Sequence, residues 1–334
     1  MVRLKYDQLK QEFIRVLLSR GFEPDVANES AIIFADTTLD GVYSHGVNRF
    51  PKVISYLDKG YINPKAKPTL VSALGAIEKW DGNLGMGNVN AKIAMDRTLE
   101  LSKTYGIGAV ALRNTNHWMR GSTYGIQAAN QGFAAICWTN TLPNMPAWGS
   151  TRPNIGNNPL VIAIPREKGM VLFDAAMSQF SYGKMETTRL ANQQLPFPGG
   201  YNLKGELTTD PAEILKSWRV LPIGLWKGSG LSIVLDLLAA SLAEGDSTAK
   251  IGSKGGDEYG VSQVFIAINL YALTSKESIE RLIDETIEEL HASNNIDGFK
   301  KVRYPGEGTW ERRKENLEKD IPVEEEIWKT ILSL

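Results

Sequence analysis

From residue 76 to residue 269 the chain alternates between short apolar stretches and amphipathic helical patterns. A sheet and its covering helices bury each other's apolar faces, so this alternation predicts an α/β body. The predicted strands are 76–83, 107–112, 133–138, 160–164, 170–173 and 261–269. The predicted helices of this body are 88–105, 124–130 and 226–242.

The two ends of the chain differ from this body because their apolar residues recur mainly at helical spacing. The predicted helices of the ends are 7–19, 24–39, 47–59, 276–292 and 323–334. The ends of a compact domain often lie close together in space. We therefore expect residues 1–75 and 290–334 to form one helical domain and residues 76–289 to form an α/β domain.

The charge balance excludes a global attraction to polyanions. The chain has 37 lysines and arginines against 38 aspartates and glutamates, which leaves a net charge of −1. We therefore expect neither a nucleic acid nor a membrane as a partner. The apolar stretch 231–243 contains Asp236 and is too short to span a bilayer, so we expect a buried helix there. The single cysteine, Cys137, and the lack of a secretory pattern near residue 1 favour a cytoplasmic protein.

Residues 106–111 read Gly-Ile-Gly-Ala-Val-Ala and match a dinucleotide-binding glycine motif by letter. In that motif a strand precedes the glycines and a helix follows, so that the helix N-terminus meets the pyrophosphate. Here the glycines follow a helical pattern and precede a strand. We therefore interpret Gly106 as the end of a helix and reject a Rossmann site. Another glycine pair, in residues 228–230, opens a helix and is either a phosphate site or a simple cap.

The segment Tyr43-Ser44-His45-Gly46-Val47-Asn48-Arg49-Phe50-Pro51 holds one of only three histidines. If the chain is helical after Gly46, His45 and Arg49 lie about one turn apart and project into the same volume. Imidazole exchanges a proton near neutral pH, and guanidinium grips a carboxylate by two parallel hydrogen bonds. This pairing indicates chemistry on a keto acid or a hydroxy acid. The alternative is that His45 is only a turn residue.

A second histidine, His117, follows the predicted strand 107–112 within the polar segment 114–121. Polar residues at the carboxyl end of such a strand lie where α/β folds place ligands, although a histidine there can also serve only to stabilise a loop. The third, His291, ends a charged helix, and we expect it at the surface. The histidines and Cys137 have no metal-ligand spacing, so no metal is expected. The chain also lacks the G-x-S-x-G string of a hydrolase.

Six segments, in this order, resemble the type 2 malate/L-lactate dehydrogenase family, whose members are NAD(P)-dependent oxidoreductases without a Rossmann fold. They are Tyr43–Pro51, Asn114–Gly121, Ile155–Leu160, Asp174–Ser178, Trp226–Gly230 and Pro305–Glu307. The resemblance runs from the first helix to the last. It implies a non-Rossmann NAD(P)-binding body with a mixed sheet, flanked by the helical domain of the chain ends. It also implies a homodimer with the cofactor near the subunit interface.

The resemblance assigns roles to residues of this chain. It implies His45 as proton donor and His117 as a second catalytic histidine that shares or takes over this role. Substrate binding falls to Ser44, Arg49 and Arg120. The implied cofactor contacts are Thr141, Met170, Val171, Leu172, Phe173, Asp174, Ala175, Ala176, Trp226, Lys227, Gly306, Glu307 and Gly308. The cofactor is NADH or NADPH, with NADH favoured.

Segments 43–51, 116–121 and 257–260 look most like the branch of the family that reduces 2,3-diketo-L-gulonate to 3-keto-L-gulonate. The resemblance therefore implies reduction of a small anionic sugar acid by hydride transfer from NAD(P)H. Residues 175–177 depart from that branch and leave cofactor preference and substrate open. The alternative within the family is a dehydrogenase for malate, L-lactate or another small 2-hydroxy acid. Outside it, the alternative is a sugar-acid isomerase or binding protein without redox activity.

Overall fold

The computed structural model describes residues 1–296 and 301–334. Its helices are α1 (Tyr6–Ser19), α2 (Pro24–Leu39), α3 (Phe50–Asp58), α4 (Gly87–Tyr105), α5 (Ser122–Ala129), α6 (Tyr182–Leu190), α7 (Pro211–Ser217), α8 (Trp226–Ala243), α9 (Thr248–Ser253), α10 (Leu270–Leu273), α11 (Lys276–Ala292), α12 (Glu307–Lys319) and α13 (Glu325–Ser333). Its strands are β1 (Val2–Leu4), β2 (Thr69–Leu74), β3 (Ile77–Asp81), β4 (Ile107–Thr115), β5 (Ala134–Thr139), β6 (Leu160–Ile164), β7 (Val171–Ala175), β8 (Gly200–Tyr201), β9 (Leu207–Thr208), β10 (Val261–Ile268) and β11 (Ile321–Val323).

Seven strands form one sheet in the order β2-β3-β4-β10-β5-β6-β7. Strands β3 and β4 run parallel, and the other neighbouring pairs are antiparallel. The α/β fold with a mixed sheet is therefore confirmed. Gly106 ends α4 in the left-handed conformation with φ of 80°, and β4 follows at once. The interpretation of this glycine as a helix end is also confirmed.

Apolar side chains of the central strands alternate between the two faces of the sheet, as the pleat of a strand requires. Val110 and Leu112 of β4 pack with α4 and α5 on one face. Ala111 packs on the other face with Leu235 and Ala239 of α8. Both faces are thus covered by helices, and polar loops remain at the strand ends to form a site.

The chain ends pack around a separate apolar cluster, built mainly from α1, α2, α3 and α13. Residues 2–4 pair antiparallel with residues 321–323, a two-stranded sheet that the helical spacing did not predict. The cluster is consistent with the expected helical domain. The division into 1–75 with 290–334 and 76–289 stays a prediction, and residues 297–300 of it lie outside the described residues.

Several elements differ from the sequence predictions. The helix expected over 47–59 begins only at Phe50, since Pro51 favours a first helical turn, and a 3-10 turn occupies 43–45. No strand was predicted before residue 76, but residues 69–74 form β2, which pairs with β3. Helices α6, α7, α9 and α12 lie in segments for which no helix was predicted. These segments are rich in polar residues, so apolar periodicity carried little signal there.

The apolar stretch 231–243 is a helix, as predicted, but the expectation that this helix is buried was wrong. Helix α8 packs Leu235 and Ala239 against the sheet, and it buries Ser229 and Ser232 against the loop that precedes β6. Its outer face leaves Val234 58% and Leu237 56% exposed. By length and composition, α8 is the one helix among residues 1–296 and 301–334 that could cross a membrane. However, it also carries Asp236, which accepts hydrogen bonds from Asn140 and from the backbone of Thr248.

Candidate active site

A cleft of about 730 Å³ lies between the helical chain ends and the sheet. Its walls come from the turn between α2 and α3, the loops that follow β4 and β5, the end of β7, helix α6 and the start of α12. This volume is within the range of pockets that bind small molecules. The cleft brings His45, His117, Ser44, Arg49 and Arg120 together, although they are far apart along the chain.

The rings of His45 and His117 are stacked, with 5.7 Å between their centroids and 29° between their planes. His45 ends the 3-10 turn 43–45, and His117 lies in the loop after β4. The expected helix after Gly46 does not place His45. A tight turn does so, and Arg49 immediately precedes α3.

Each histidine uses Nδ1 in a local hydrogen bond. Nδ1 of His45 lies 3.0 Å from Ser44 Oγ. Nδ1 of His117 accepts the backbone N–H of Met119 at 2.9 Å, and Met119 adopts an unusual positive φ of 67° to present it. Neutral His117 therefore carries its proton on Nε2 and offers an N–H donor through that atom.

Desolvation in the cleft, followed by the charge of Arg49, lowers the pKa of His45 to about 4, and Arg120 adds to the effect. Asp174 acts in the opposite direction on this pKa. The pKa of His117 lies well below its ordinary value, first from desolvation and then from Arg49. Both imidazoles are therefore neutral near pH 7 when no anion is bound.

The arginines of the cleft differ in what they bind. The guanidinium of Arg49 makes no hydrogen bond or ion pair with any residue in 1–296 or 301–334, although its charge acts on both histidines. The buried Arg120 donates through Nη1 to Asp40, and its Nε donates to Ser122 Oγ at 2.6 Å. Arg49 is therefore available to an anionic ligand, whereas Arg120 is already committed to protein partners.

Asp40, at the end of α2, joins three parts of the molecule. Its carboxylate accepts from Arg120 in the site loop and from Arg313 of α12 at 2.6 Å. Arg313 also donates to Asp36 at 2.9 Å, and Asn316 donates to the carbonyl of Leu39 at 2.7 Å. These contacts set the position of α2, and so of the turn that follows it, against the loop that carries His117.

Five of the predicted cofactor residues line the cleft: Thr141, Leu172, Asp174, Ala176 and Gly306. Their neighbours on β7 do not, because side chains alternate along a strand, and Val171, Phe173 and Ala175 fall between the residues of the lining. Met170 is buried in the core beside α4 and α5.

The other predicted cofactor residues lie outside this cleft. Trp226 and Lys227 are exposed at the start of α8. Glu307 is held by Lys301 at 2.5 Å and lies 3.4 Å from His291 Nε2. His291 lies at the surface, as expected, and has a carboxylate partner in Glu307. Gly308 lies beside the side chain of Arg303, since a Cβ atom added at Gly308 would be 3.1 Å from a nitrogen of the Arg303 guanidinium.

Many residues that line the cleft were not predicted from the sequence, and Lys52, Tyr56 and Glu258 are among them. Glu258 accepts the Leu142 N–H at 3.0 Å, and its burial raises the pKa of its carboxyl. Lys52 lies one position after Pro51, at the edge of the segment around His45, and Glu258 lies in one of the segments that carry the resemblance. Both residues thus lie in or beside segments that the sequence analysis singled out, but nothing in the sequence indicated that their side chains reach the cleft.

The cleft wall also contains an acceptor without a donor. Asn144 Oδ1 is buried and has no hydrogen-bond partner among the described residues, while the amide nitrogen of Asn144 donates to Asn157 at 2.8 Å. A nicotinamide carries a carboxamide N–H that suits such an acceptor. The residues present therefore fit a nicotinamide group. No three metal-ligating side chains come together in 1–296 or 301–334.

A family model described as malate/L-lactate dehydrogenase matches residues 4–332. The 2,3-diketo-L-gulonate reductase of Citrobacter koseri is 47% identical over 337 residues, and that of Pasteurella multocida is 47% identical over 333 residues. Each alignment covers 100% of both chains. These relatives act, by name, on the sugar acid that the sequence segments indicated.

Solved structures of similar proteins share the fold over nearly the whole chain. Malate dehydrogenase from Entamoeba histolytica superposes with a TM-score of 0.94 at 26% identity, covering 99% of this chain and 96% of that chain. Sulfolactate dehydrogenase from Methanocaldococcus jannaschii superposes with a TM-score of 0.87 at 31% identity, covering 99% and 95%. The sheet and the flanking helices are therefore those of this group of dehydrogenases.

The low pKa of His45 gives a first testable prediction. In the protein without ligand, we expect the His45 ring to stay neutral from pH 8 down to about pH 5, because its pKa is about 4. NMR of labelled histidine measures this, with His45→Gln and His117→Gln variants for assignment. Arg49→Met should raise the pKa of His45 by removing a nearby positive charge, whereas Arg15→Met on the surface should not.

The sign of the associated stability change follows from linkage. The unfolded chain takes up this proton near pH 6.5 and the folded chain only near pH 4, so the contribution of His45 to stability is lost as the pH falls between these values. A midpoint near 6.5 for His45 in the folded protein would contradict this description of the cleft.

Proposed function

The chain belongs to the malate/L-lactate dehydrogenase family, and we propose that it reduces 2,3-diketo-L-gulonate to 3-keto-L-gulonate with NADH. Its family and its named relatives make it an oxidoreductase of hydroxy or keto acids that uses a nicotinamide cofactor. The sugar-acid substrate is proposed from the named relatives. The observation that carries the proposal is the stacked histidine pair beside the unpaired Arg49 in one cleft.

A bound nicotinamide cofactor supplies the hydride that reduces the ketone carbon. Negative charge then develops on the ketone oxygen, and a nearby proton donor must neutralise it. His45 is the proposed donor, oriented by Ser44 through Nδ1. His117, whose Nε2 carries the proton when the ring is neutral, donates a hydrogen bond to the same oxygen.

Substrate binding favours the protonated form of His45, which reduction requires. The free protein keeps His45 neutral, partly through the positive charge of Arg49. A substrate carboxylate bound to Arg49 offsets that charge, so the pKa of His45 rises when the anion arrives. Reduction then begins from the protonated ring. Arg120 acts as a positioning residue in this scheme, because Asp40 and Ser122 already occupy its guanidinium.

The choice of NADH over NADPH rests on the charges of the cleft. A 2′-phosphate requires a free cation near the adenosine ribose. Within the described lining, Leu172, Asp174, Gly306 and their neighbours provide no cation. The free cations of the lining, Arg49 and Lys52, lie on the side of the histidines.

We also propose a homodimer that forms through α8. Its outer face is a contiguous apolar surface of Leu231, Val234, Leu237, Leu238 and Leu242, and such surfaces commonly mark interfaces. The exposed Trp226 and Lys227 begin the same helix and would lie beside this interface. The proposed location is the cytoplasm.

A second candidate within the family is a dehydrogenase for malate, L-lactate or another small 2-hydroxy acid. The high structural similarity to a malate dehydrogenase favours it, since the histidine pair and Arg49 would serve both substrates. The substrates differ in length and in the number of hydroxyl groups. A direct comparison of turnover therefore separates the two candidates.

The deciding experiment follows NADH and NADPH oxidation by the purified protein with 2,3-diketo-L-gulonate, pyruvate, oxaloacetate and glyoxylate. We expect the highest kcat/KM with the diketo sugar acid and NADH. Preference for a short keto acid would move the function to the second candidate. No turnover with any pair would remove the redox proposal and favour a sugar-acid isomerase or binding protein.

Replacing each histidine separates their roles. His45→Ala should lower kcat by at least ~100-fold, as expected for loss of a general acid. In the wild type, kcat for reduction should fall as the pH rises above the pKa of His45 in the substrate complex. His117→Gln should lower kcat but keep this pH dependence. If His117→Gln abolishes the pH dependence and His45→Ala keeps it, the two roles are reversed.

Substitution on the outer face of α8 tests the dimer. Size-exclusion chromatography with light scattering should give the wild-type protein a mass of twice its 36.9 kDa chain. Leu237→Glu places a charge in the proposed interface and should give a monomer. The matched control is Leu282→Glu on α11, where the leucine is 65% exposed and the dimer should persist. A wild-type monomer, or a folded dimeric Leu237→Glu variant, would refute the interface.

A further inference from the structure

Glu258 is a buried carboxylate that the mechanism above does not use. It is only 6% exposed, yet it lines the cleft. Oε2 accepts the Leu142 N–H at 3.0 Å. Oε1 has no hydrogen-bond partner among residues 1–296 and 301–334. A buried carboxylate with one oxygen free for bonding in a ligand cleft is expensive to keep unless a ligand completes its hydrogen bonds.

The loop that carries Glu258 is anchored on both sides of it. Asp257 pairs with Lys59 at 2.6 Å. The ring of Tyr259 stacks on that of Tyr61, with 4.6 Å between centroids and 4° between planes, and Lys254 lies 4.9 Å above the Tyr259 ring. The position of Glu258 is therefore fixed by its neighbours and does not depend on a ligand.

The surroundings of Glu258 indicate which part of a ligand it meets. The charges of Arg49 and Lys52 act on Glu258, but neither forms an ion pair with it within 4.0 Å. Glu258 therefore lies near Arg49 and Lys52 in the lining of the cleft.

The chemistry of a free carboxylate oxygen selects the group that it binds. A substrate carboxylate would be repelled by Glu258, whereas a hydroxyl group donates a hydrogen bond to it. Lys52 also lines the cleft and forms no ion pair within the described residues, so its ammonium group can donate to the oxygen of the same or a neighbouring hydroxyl. An acceptor and a donor placed together suit a polyol.

We propose that Glu258 is a specificity-determining residue that accepts a hydrogen bond from the hydroxylated tail of the sugar-acid substrate. The inference rests on the proposed function and deepens it, because it names the side chain that distinguishes a long polyhydroxy keto acid from a short one. Pyruvate has no hydroxyl tail and leaves Oε1 unbound. Discrimination arises because a site built for a substrate hydroxyl loses this bond with a substrate that lacks it.

The test is the Glu258→Gln variant. Glutamine keeps one oxygen to accept the Leu142 N–H and replaces the free oxygen with an NH₂ group, which cannot accept a hydroxyl proton. We expect kcat/KM for 2,3-diketo-L-gulonate to fall about 10- to 100-fold, mostly through KM, as for the loss of one hydrogen bond to a charged group. Pyruvate binding, measured as its inhibition of sugar-acid reduction, should change less than about 3-fold.

Controls separate a role in specificity from a role in folding. Asp257→Asn alters the same loop by weakening its bond to Lys59. Any effect of this variant on binding should be equal for the sugar acid and pyruvate. Thermal unfolding verifies that each variant folds. If Glu258→Gln does not fold, Glu258→Asp, which retracts the carboxylate by one methylene, replaces it with the same expected selectivity.

The possible outcomes are distinct. Suppose that the wild-type enzyme reduces the sugar acid, but Glu258→Gln weakens its action on the sugar acid and its binding of pyruvate equally, or weakens neither. This result overturns the role of Glu258 and leaves the proposed function standing. Absence of sugar-acid reduction by the wild type overturns the proposed function, and this inference with it. Selective loss for the sugar acid supports both.

Discussion

The buried carboxylate of Asp40 is the contact on which the geometry of the cleft depends. It lies between Arg120 of the site loop and Arg313 of α12, and each guanidinium brings a different part of the chain to the end of α2. Removing one partner from such a buried cluster leaves an uncompensated charge, which is far more costly than losing an exposed ion pair. The two histidines are therefore held in place partly from outside the cleft, because Asp40 and Arg313 do not line it, whereas Arg120 does.

The ion pairs of Asp40 also distinguish the two arginines of the cleft, because they neutralise Arg120 and leave Arg49 free to bind an anion. Arg120 has its charge matched by Asp40, so it contributes little binding capacity of its own. Arg49 has no such match, and its charge disfavours a proton on either histidine. In the proposed mechanism, the charge of the substrate is then linked to protonation of His45. A neutral ketone would not offset the charge of Arg49 and so would not raise the pKa of His45.

The sequence predicted the parts of this arrangement that follow from local pattern. Strand and helix alternation gave the sheet, and the order of helix, Gly106 and strand excluded a Rossmann site. It could not predict that a 3-10 turn would present His45, because that turn is held by contacts with α2 and α12. Nor could it predict the reach of Glu258 or the pairing of Arg120, since both depend on residues more than 70 positions away. Helix α8 was misjudged because apolar content alone does not reveal which face meets the sheet.

The pairing of residues 2–4 with residues 321–323 has a consequence for the order of events during synthesis. The sheet body, from β2 to β10, is complete in the nascent chain well before residue 321 leaves the ribosome, and domains commonly fold as they emerge. The N-terminal helices, although made first, find their last partners only at the end, in β11 and α13. The segment that carries His45 therefore reaches its final packing late, so that a truncated chain contains the proposed proton donor without the full support that holds it in place.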